Sequence, residues 1–252
     1  MAEKIRIIDC DISIVTRDAA RSIVMEAVER KAGGYVCFSN VHTVVEAHND
    51  DALRSATNQA LVAAPDGKPL SVFARWRGAK NIEQVAGPDF FPYLIEKNPN
   101  LRHFFMGSTE VTLAKLECNL RARFPNIDIA GSYSPPFGPM VDETNDVIIE
   151  KIKVANPDVV WVGLGAPKQE IWMAQNAQLL APCILLGVGA AFDFHAGTTK
   201  RAPQWVRQCG LEWFHRLLSE PRRLWKRYLV TNLKFIFYIS RQIIFQKLGR
   251  QK

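Results

Sequence analysis

Short apolar segments alternate with amphipathic segments along most of this chain, and this alternation constrains the fold more than any other feature. The apolar segments predict strands at Ile5–Ile8, Tyr35–Ser39, Leu61–Ala63, His103–Met106, Ile127–Gly131, Val159–Gly163 and Ile184–Val188. The amphipathic segments predict helices at Asp18–Lys31, Thr43–Asp50, Pro69–Arg77, Asp89–Lys97, Glu110–Arg123, Glu143–Ala155 and Gln169–Gln178. Strands that alternate with helices are joined by parallel crossovers. The sequence therefore predicts an α/β fold with helices on both faces of a parallel sheet.

The pattern changes near residue 200, where the charge also changes. From Lys200 to Lys252 the chain has thirteen Lys and Arg against two acidic residues, a local charge of +11, so the first 199 residues carry about −4. The 252 residues are 48% hydrophobic and 23% charged, as in a globular protein. We expect an α/β core at residues 1–200 and a basic helical appendage at residues 201–252.

The appendage predicts two helices, Glu212–Ser219 and Pro221–Lys247. Its longest unbroken apolar run, Phe235–Ile239, is too short to span a membrane. Basic residues interleaved with large apolar ones favour a helix that lies in an anionic membrane interface. Packing against the core is the alternative, and one helix can do both. An apolar tail away from a membrane also needs covering, which makes a homo-oligomer an option.

The cysteines and the N-terminal residues indicate the cellular compartment. Five scattered cysteines without paired spacing predict reduced thiols in a cytoplasmic protein. The chain begins with charged residues and goes directly into a strand, without the apolar segment of a secretory signal. Because a nucleic-acid binder more often spreads basic surface over the whole fold, we expect no nucleic-acid partner.

Small and polar residues follow the predicted strands, where ligands bind in parallel α/β sheets. Asp66-Gly67 follows one apolar strand, and a carboxylate there suits a catalytic base, although a lone Asp-Gly is more often a turn or a helix cap. Asn40 follows Ser39 and offers both a donor and an acceptor, or only a helix N-cap. Gly107-Ser108 precedes a helix whose backbone N–H groups can hold a phosphate.

Two further strand ends carry glycines but not a complete dinucleotide fingerprint. Gly163–Gly165 and Gly187–Gly189 both begin G-x-G, but Lys168 and Phe192 stand where the third glycine belongs. This disfavours a nicotinamide- or flavin-dependent oxidoreductase. After Gly165, Lys168 and Gln169 place a cation and an amide at a helix start, an arrangement that suits a sugar or a diphosphate. We expect no metal site, because no His or Cys cluster has ligand spacing.

Taken in order, these motifs resemble those of the WecG/TagA/CpsF glycosyltransferases, glycosyltransferase family 26. The segments that carry the resemblance are Ser39–Val41, Asp66–Pro69, Val85–Phe90, Phe105–Ser108, Pro135–Gly138, Gly165–Glu170, Gly189–Asp193, Arg201–Pro203 and Leu211–Leu217. The match extends from about residue 5 to residue 230. The Gly-Ala-Pro-Lys-Gln-Glu and Leu-Glu-Trp elements are specific enough that chance coincidence is not expected.

The resemblance implies a Rossmann-like core and an inverting transferase that needs no metal. Such enzymes transfer a sugar from a UDP-sugar to a polyprenyl-diphosphate-linked acceptor at the cytoplasmic membrane face, in cell-surface polysaccharide synthesis. It further implies that Asp66 is the general base, that Asn40 and Gln169 line the sugar pocket, and that Asp193 meets the nucleoside. Three arginines of the appendage would complete the site over the diphosphate: Arg216, Arg223 and Arg227.

Two positions depart from the family pattern. Phe38 stands where many members have Thr, and Gln84 stands where many have Arg. Both border the expected sugar or phosphate site, so the donor sugar stays open among N-acetylmannosamine, its uronic acid and glucose. A membrane-docked protein that binds a sugar nucleotide without catalysis is the alternative from another functional class.

Overall fold

The computed structural model describes residues 2–138 and 140–249. Its strands are β1 Lys4–Ile7, β2 Cys10–Ser13, β3 Gly34–Ser39, β4 Val62–Pro65, β5 Arg102–Gly107, β6 Asp128–Tyr133, β7 Val159–Gly163 and β8 Ile184–Gly187. Its helices are α1 Arg17–Glu29, α2 Val41–Ala47, α3 Asp51–Gln59, α4 Lys68–Trp76, α5 Gly87–Lys97, α6 Glu110–Arg123, α7 Asp142–Ala155, α8 Lys168–Asn176, α9 Ala191–His195, α10 Gln204–Gln208, α11 Glu212–Ser219 and α12 Pro221–Gly249.

Six strands form one parallel sheet in the order β4-β3-β8-β7-β5-β6. In β7, Val159 and Trp161 belong to the hydrophobic cluster on one face, and Val160 and Val162 belong to the cluster on the other. Because side chains alternate along a strand, both faces of the sheet are buried, as in α/β proteins. The predicted Rossmann-like α/β fold is confirmed.

The first predicted strand lies outside this sheet. β1 pairs with β2 as an antiparallel hairpin, with Ile5 opposite Ile12, and Ile8 in its turn has a positive φ of 58°. The sequence analysis missed β2, because the two strands are short and no glycine marks the turn. The hairpin buries Ile7 and Ile12 in a third hydrophobic cluster, which also includes Leu70 and Phe73 of α4.

Helices α3, α9 and α10 were also missed by the sequence analysis. α3 is largely polar, and α9 and α10 have only five residues each, too few for a clear helical period. The other predicted boundaries agree within two residues, except at the C-terminal end of α2, where the prediction runs three residues beyond Ala47. Helix ends are the part of a helix that sequence patterns define least well.

Helix α12 packs on the core along one face. Leu224 and Thr231 are buried, Tyr238 stacks on His48 with ring centroids 4.2 Å apart, and Gln242 bonds the hairpin at Ile8 N (3.0 Å) and Arg6 O (3.0 Å). Its large exposed side chains are Trp225, Leu229, Val230, Leu233, Ile236, Phe237, Ile244 and Phe245. Among the described residues, no helix is both long and apolar enough to cross a membrane.

Candidate active site

The polar residues chosen from the sequence lie along one edge of the sheet. Because all six strands are parallel, their carboxyl ends meet there, in the spatial order Asp66, Asn40, Gly187–Gly189, Gly163–Gly165 and Gly107-Ser108. Four strand intervals separate the first from the last, about 19 Å at the usual strand spacing. The edge therefore forms an elongated site with a carboxylate at one end and glycine turns along the rest.

Asp66 directly follows β4 and is fixed by residues from three segments. Its Oδ1 accepts a hydrogen bond from the backbone N–H of Gly87 (3.0 Å), the first residue of α5. Its Oδ2 lies 3.5 Å from Nδ2 of Asn40, and Nε2 of Gln84 donates to its main-chain oxygen (2.7 Å). The carboxylate is therefore held by an approaching helix and is not merely a turn residue.

The pKa of Asp66 is raised from 3.8 to about 6, chiefly because the carboxyl group is withdrawn from water and also because the Glu212 carboxylate lies nearby. The Gly87 N–H, the Asn40 amide and Arg201 act in the opposite direction, because each stabilises the ionised form. A carboxyl group with a pKa near the working pH suits proton abstraction, since the base form is present and its affinity for a proton is appreciable. Perturbed carboxyl groups at strand ends are typical of functional sites.

Asn40 has both of the roles that the sequence left open. It is the N-cap of α2: its Oδ1 accepts from the N–H groups of His42 (3.0 Å) and Thr43 (3.3 Å), and Thr43 returns a bond to its backbone. Because its oxygen is taken by the cap, its Nδ2 is left to point to Asp66. The cap thereby sets the orientation of the amide beside the carboxylate.

Close packing explains two of the glycines. A Cβ at Gly107 would lie 2.6 Å from the main chain of Gly163, and a Cβ at Gly163 would lie 2.7 Å from the ring of Phe192. By contrast, Gly165 has a positive φ of 78° and open space around its missing Cβ. Gly165 therefore leaves its turn accessible, whereas Gly107 and Gly163 let strands β5 and β7 approach closely.

Gln169 is buried between the two glycine turns. Its Nε2 donates to Gly187 O (3.0 Å) and Glu170 Oε1 (2.9 Å), and its Oε1 accepts from Gly165 N (3.2 Å). Both N–H groups of the amide are therefore used within the protein. The resemblance implied that Gln169 lines the sugar pocket, and the geometry places it at the base of the two turns instead of pointing freely into the site.

Two more of the expected site residues, Lys168 and Ser108, lie next to the glycine turns. Lys168 is exposed and reaches Gly138 O (3.4 Å), in the loop after β6. Thr109, not Ser108, caps α6, and the main-chain oxygen of Ser108 accepts a bond from Ser134 (2.8 Å). This leaves the Ser108 hydroxyl near the glycine turn without the capping role.

Arg216 of α11 brings the appendage to the same edge. Its guanidinium lies 6.0 Å from the ring centre of Phe194, next to Asp193 on α9, and Arg201 lies 5.8 Å from the same ring. The Asp193 carboxylate accepts a long bond from Thr198 (3.4 Å). Arg223 and Arg227 are on α12, but their side chains lie outside the described part of the structure.

The sequence analysis missed an ionic network that joins core and appendage. Arg201 donates two bonds to Asp89 of α5 (2.6 and 2.9 Å) and one to Glu212 of α11 (3.0 Å), and Arg207 also donates to Asp89 (2.9 Å). Burial alone would raise the pKa of Asp89, but Arg201 and Arg207 lower it below its ordinary value. The motifs that contain Asp89 and Arg201 were recognised in the sequence. Their pairing was not predicted, because 112 positions separate the two residues and no local pattern connects them.

Both departures from the family pattern lie near Asp66. Phe38 is buried in β3, 5.4 Å from the ring of Phe90 and beneath Gly87. Gln84 bonds the main chain of Asp66 and lines a groove of about 700 Å³ that Asp89 and Glu212 also border. The pattern thus changes at two residues that pack on or bond the segments around Asp66.

Comparison with known proteins now decides the family. The sequence profile described as "Glycosyl transferase WecG/TagA/CpsF family" matches residues 5–249. The chain belongs to this glycosyltransferase family. Two relatives, from Bacillus spizizenii and Bacillus subtilis, are 30% and 31% identical to it over 204 residues, covering 80% of this chain and 77% of each relative. Both are named N-acetylglucosaminyldiphosphoundecaprenol N-acetyl-beta-D-mannosaminyltransferase.

Proposed function

We propose that this protein is an inverting glycosyltransferase that moves a sugar from a UDP-sugar to a polyprenyl-diphosphate-linked sugar, in cell-surface polysaccharide synthesis. One observation carries the proposal: in a chain of this family, a partly buried carboxyl group with a pKa of about 6 lies at a strand end, beside Asn40. The acceptor class is supported by the names of the two Bacillus relatives.

Asp66 acts as the general base in this mechanism. It takes the proton from the acceptor hydroxyl, whose oxygen forms a bond to the anomeric carbon of the donor. The bond from that carbon to the diphosphate oxygen breaks, and UDP leaves with the electron pair from the face opposite to the attack. Asn40 orients the carboxylate, and Gly87 N–H holds its second oxygen.

Charge on the departing diphosphate is stabilised by the protein itself in this proposal, without a metal. Arg216 lies by the ring of Phe194, Lys168 starts α8, and Arg223 and Arg227 belong to α12. Fixed cations and oriented N–H groups are effective here, because they need no reorganisation as charge develops. The donor sugar remains one of three: N-acetylmannosamine, its uronic acid or glucose.

In this proposal, the appendage binds an anionic membrane surface, the cytoplasmic face of the plasma membrane. Residues Pro221–Gly249 contain no acidic residue, while Arg222, Lys226, Lys234 and Arg241 are exposed on α12. Large apolar side chains are exposed on the same helix. Apolar and basic groups together bind the interface of anionic bilayers, where a polyprenyl-linked acceptor resides.

Calorimetry with a panel of UDP-sugars, with and without EDTA, tests the donor half of this proposal. We expect UDP and one UDP-sugar to bind equally well in both conditions. Asp66→Asn should keep this binding and lose about a hundredfold or more in turnover, because general-base catalysis typically contributes that much. Folded protein that binds no uridine nucleotide would refute the UDP-sugar donor. An Asp66→Asn variant with near-normal turnover would refute Asp66 as the general base. Wild-type protein that binds a UDP-sugar but transfers no sugar would instead favour the sugar-nucleotide-binding protein without catalysis.

A further inference from the structure

Glu170 is a buried carboxyl group that the proposed mechanism does not use. Only 2% of the residue is exposed, and its Oε1 accepts a hydrogen bond from Nε2 of Gln169 (2.9 Å). Within the described part of the chain, its Oε2 is buried with no hydrogen-bond partner. Burial raises the pKa of Glu170, whereas the hydrogen bond from Gln169 lowers it.

The partners of Gln169 define one orientation of its amide. Nε2 faces two acceptors, Glu170 Oε1 and Gly187 O, while Oε1 faces one donor, the N–H of Gly165 (3.2 Å). Rotating the amide by half a turn would place an oxygen against two acceptors and an NH₂ against a donor. The orientation is therefore fixed by hydrogen bonding alone, and Glu170 supplies one of the three bonds.

Packing around the amide is tight. A Cβ added to Gly187 would lie 3.2 Å from Gln169 Nε2 and 2.6 Å from Met173 Cε. On the other side, Gln169 Oε1 lies 3.5 Å from where a Cβ at Gly189 would stand. The side chain of Gln169 thus touches both glycine turns, and small movements of its amide shift the turn backbone directly.

We propose that Glu170 is a positioning residue for sugar transfer: it holds the Gln169 amide in the orientation that fixes the two glycine turns at the strand ends. This inference rests on the proposed function, because the turns matter for activity only if they contact the donor. Glu170 does not touch the reacting atoms. It acts through Gln169, as the acceptor of a hydrogen bond from Nε2.

Three variants test this role. Glu170→Met removes the acceptor and keeps an unbranched chain, and Glu170→Leu is a second variant of the same kind should the first not fold. Glu170→Gln keeps a neutral oxygen that can accept from Gln169. Asn176→Leu is the matched control: Asn176 lies on the same helix, is equally buried, and makes two side-chain hydrogen bonds away from the turns.

We expect the Met and Leu variants to raise KM for the UDP-sugar about tenfold, the cost of one buried hydrogen bond, with a smaller change in kcat. Hydrogen exchange at the Gly165 amide should accelerate by a similar factor, since that amide is held by Gln169. Glu170→Gln should restore both values to within about twofold of the wild type. Asn176→Leu should lower the melting temperature without changing either value.

Two results would overturn the inference. One is wild-type KM and wild-type Gly165 exchange in folded Glu170→Met and Glu170→Leu. The other is Glu170→Gln as impaired as Glu170→Met, which would assign the role to an ionised carboxylate. Failure of the proposed function can be told apart from failure of this inference. If the proposed function is wrong, the wild-type protein itself transfers no sugar. The comparison of hydrogen exchange at Gly165 does not depend on activity and still tests the role of Glu170.

Discussion

At the scale of single residues, the surroundings of Asp66 set when it can act. Its raised pKa of about 6 means that the base form is lost below that pH. We therefore expect kcat/KM to rise with pH through about 6 and to level off above it, measured with saturating acceptor from about pH 5 to about pH 8. Glu170→Gln, which removes the other carboxyl group with a raised pKa in the site, should keep this profile. A flat wild-type profile would contradict the assignment.

The same pKa makes Asp66 a cost to folding. A carboxyl pKa that rises from 3.8 to about 6 on folding favours the native state below 3.8, and this contribution is lost as pH rises through about 6. Asp66→Asn should therefore be more stable than the wild type at neutral pH, by about 1–2 kcal/mol, and should lose this advantage near pH 4. Urea unfolding at the two pH values measures the difference, and equal stabilities at neutral pH would contradict it.

Sequence position was enough to predict which residues meet when those residues directly follow strands of the parallel sheet. Asp66 and Asn40 follow consecutive strands of a parallel sheet, so their meeting at one edge follows from topology. The contact of Gln169 with two turns was not predictable, because it depends on which way one amide faces. The burial of Glu170 was not predictable either, because Lys168, only two positions earlier on the same helix, is exposed.

At the scale of elements, the Asp89 network fastens α5 to α10 and α11. Asp89→Asn removes the negative charge that pairs with both Arg201 and Arg207. We expect it to lower the free energy of unfolding by about 1–2 kcal/mol. The loss is smaller than for a fully buried ion pair, because Asp89 is partly exposed. Activity should fall as well, since Gly87 at the start of α5 holds the Asp66 carboxylate.

A surface ion pair provides the control for Asp89→Asn. Asp128 bonds Arg102 at 3.3 Å, and both side chains are about half exposed. Asp128→Asn should change the free energy of unfolding by no more than about 0.5 kcal/mol and leave kcat unchanged. If the two variants behave alike in urea unfolding and in the transfer assay, the network does not couple the appendage to the site.

The sequence predicted most helices and strands, but it did not predict which of them pack against each other. Strong periods identified the six strands of the sheet and most helices, but the β1–β2 hairpin escaped, because its pairing depends on a turn at Ile8 without glycine. The pairing of α12 with α2 and the hairpin depends on long-range contacts such as Gln242 to Ile8, separated by 234 positions. Local patterns carry no information on such contacts.

At the scale of the whole molecule, α12 has one face on the core and another exposed. Truncation after Glu220 should abolish binding to vesicles that contain anionic lipid and reduce activity on a lipid-linked acceptor, because the exposed apolar and basic groups are removed. Sedimentation with vesicles and the transfer assay measure this. Full activity together with unchanged vesicle binding would remove the appendage from the account.

Truncation also removes packing on the core, so full-length variants give a sharper comparison. Replacing Leu229, Leu233 and Phe237 together by Gln should weaken vesicle binding by more than about tenfold, since full burial of even one large apolar side chain contributes about 1.5–3 kcal/mol. Val111 and Val154 are equally exposed on the core, and the same replacement there should leave vesicle binding unchanged. Equal effects of the two sets would argue against docking through α12.

Sugar transfer itself is the central claim. The measurement that tests it most directly incubates the wild type and Asp66→Asn with UDP-N-acetylmannosamine, its uronic acid or UDP-glucose and an N-acetylglucosaminyl-diphosphate-polyprenol in anionic vesicles, and determines the anomeric configuration of the product. We predict one β-linked disaccharide lipid with the wild type and almost none with Asp66→Asn. An α-linked product, or equal yields from the two proteins, would contradict the account.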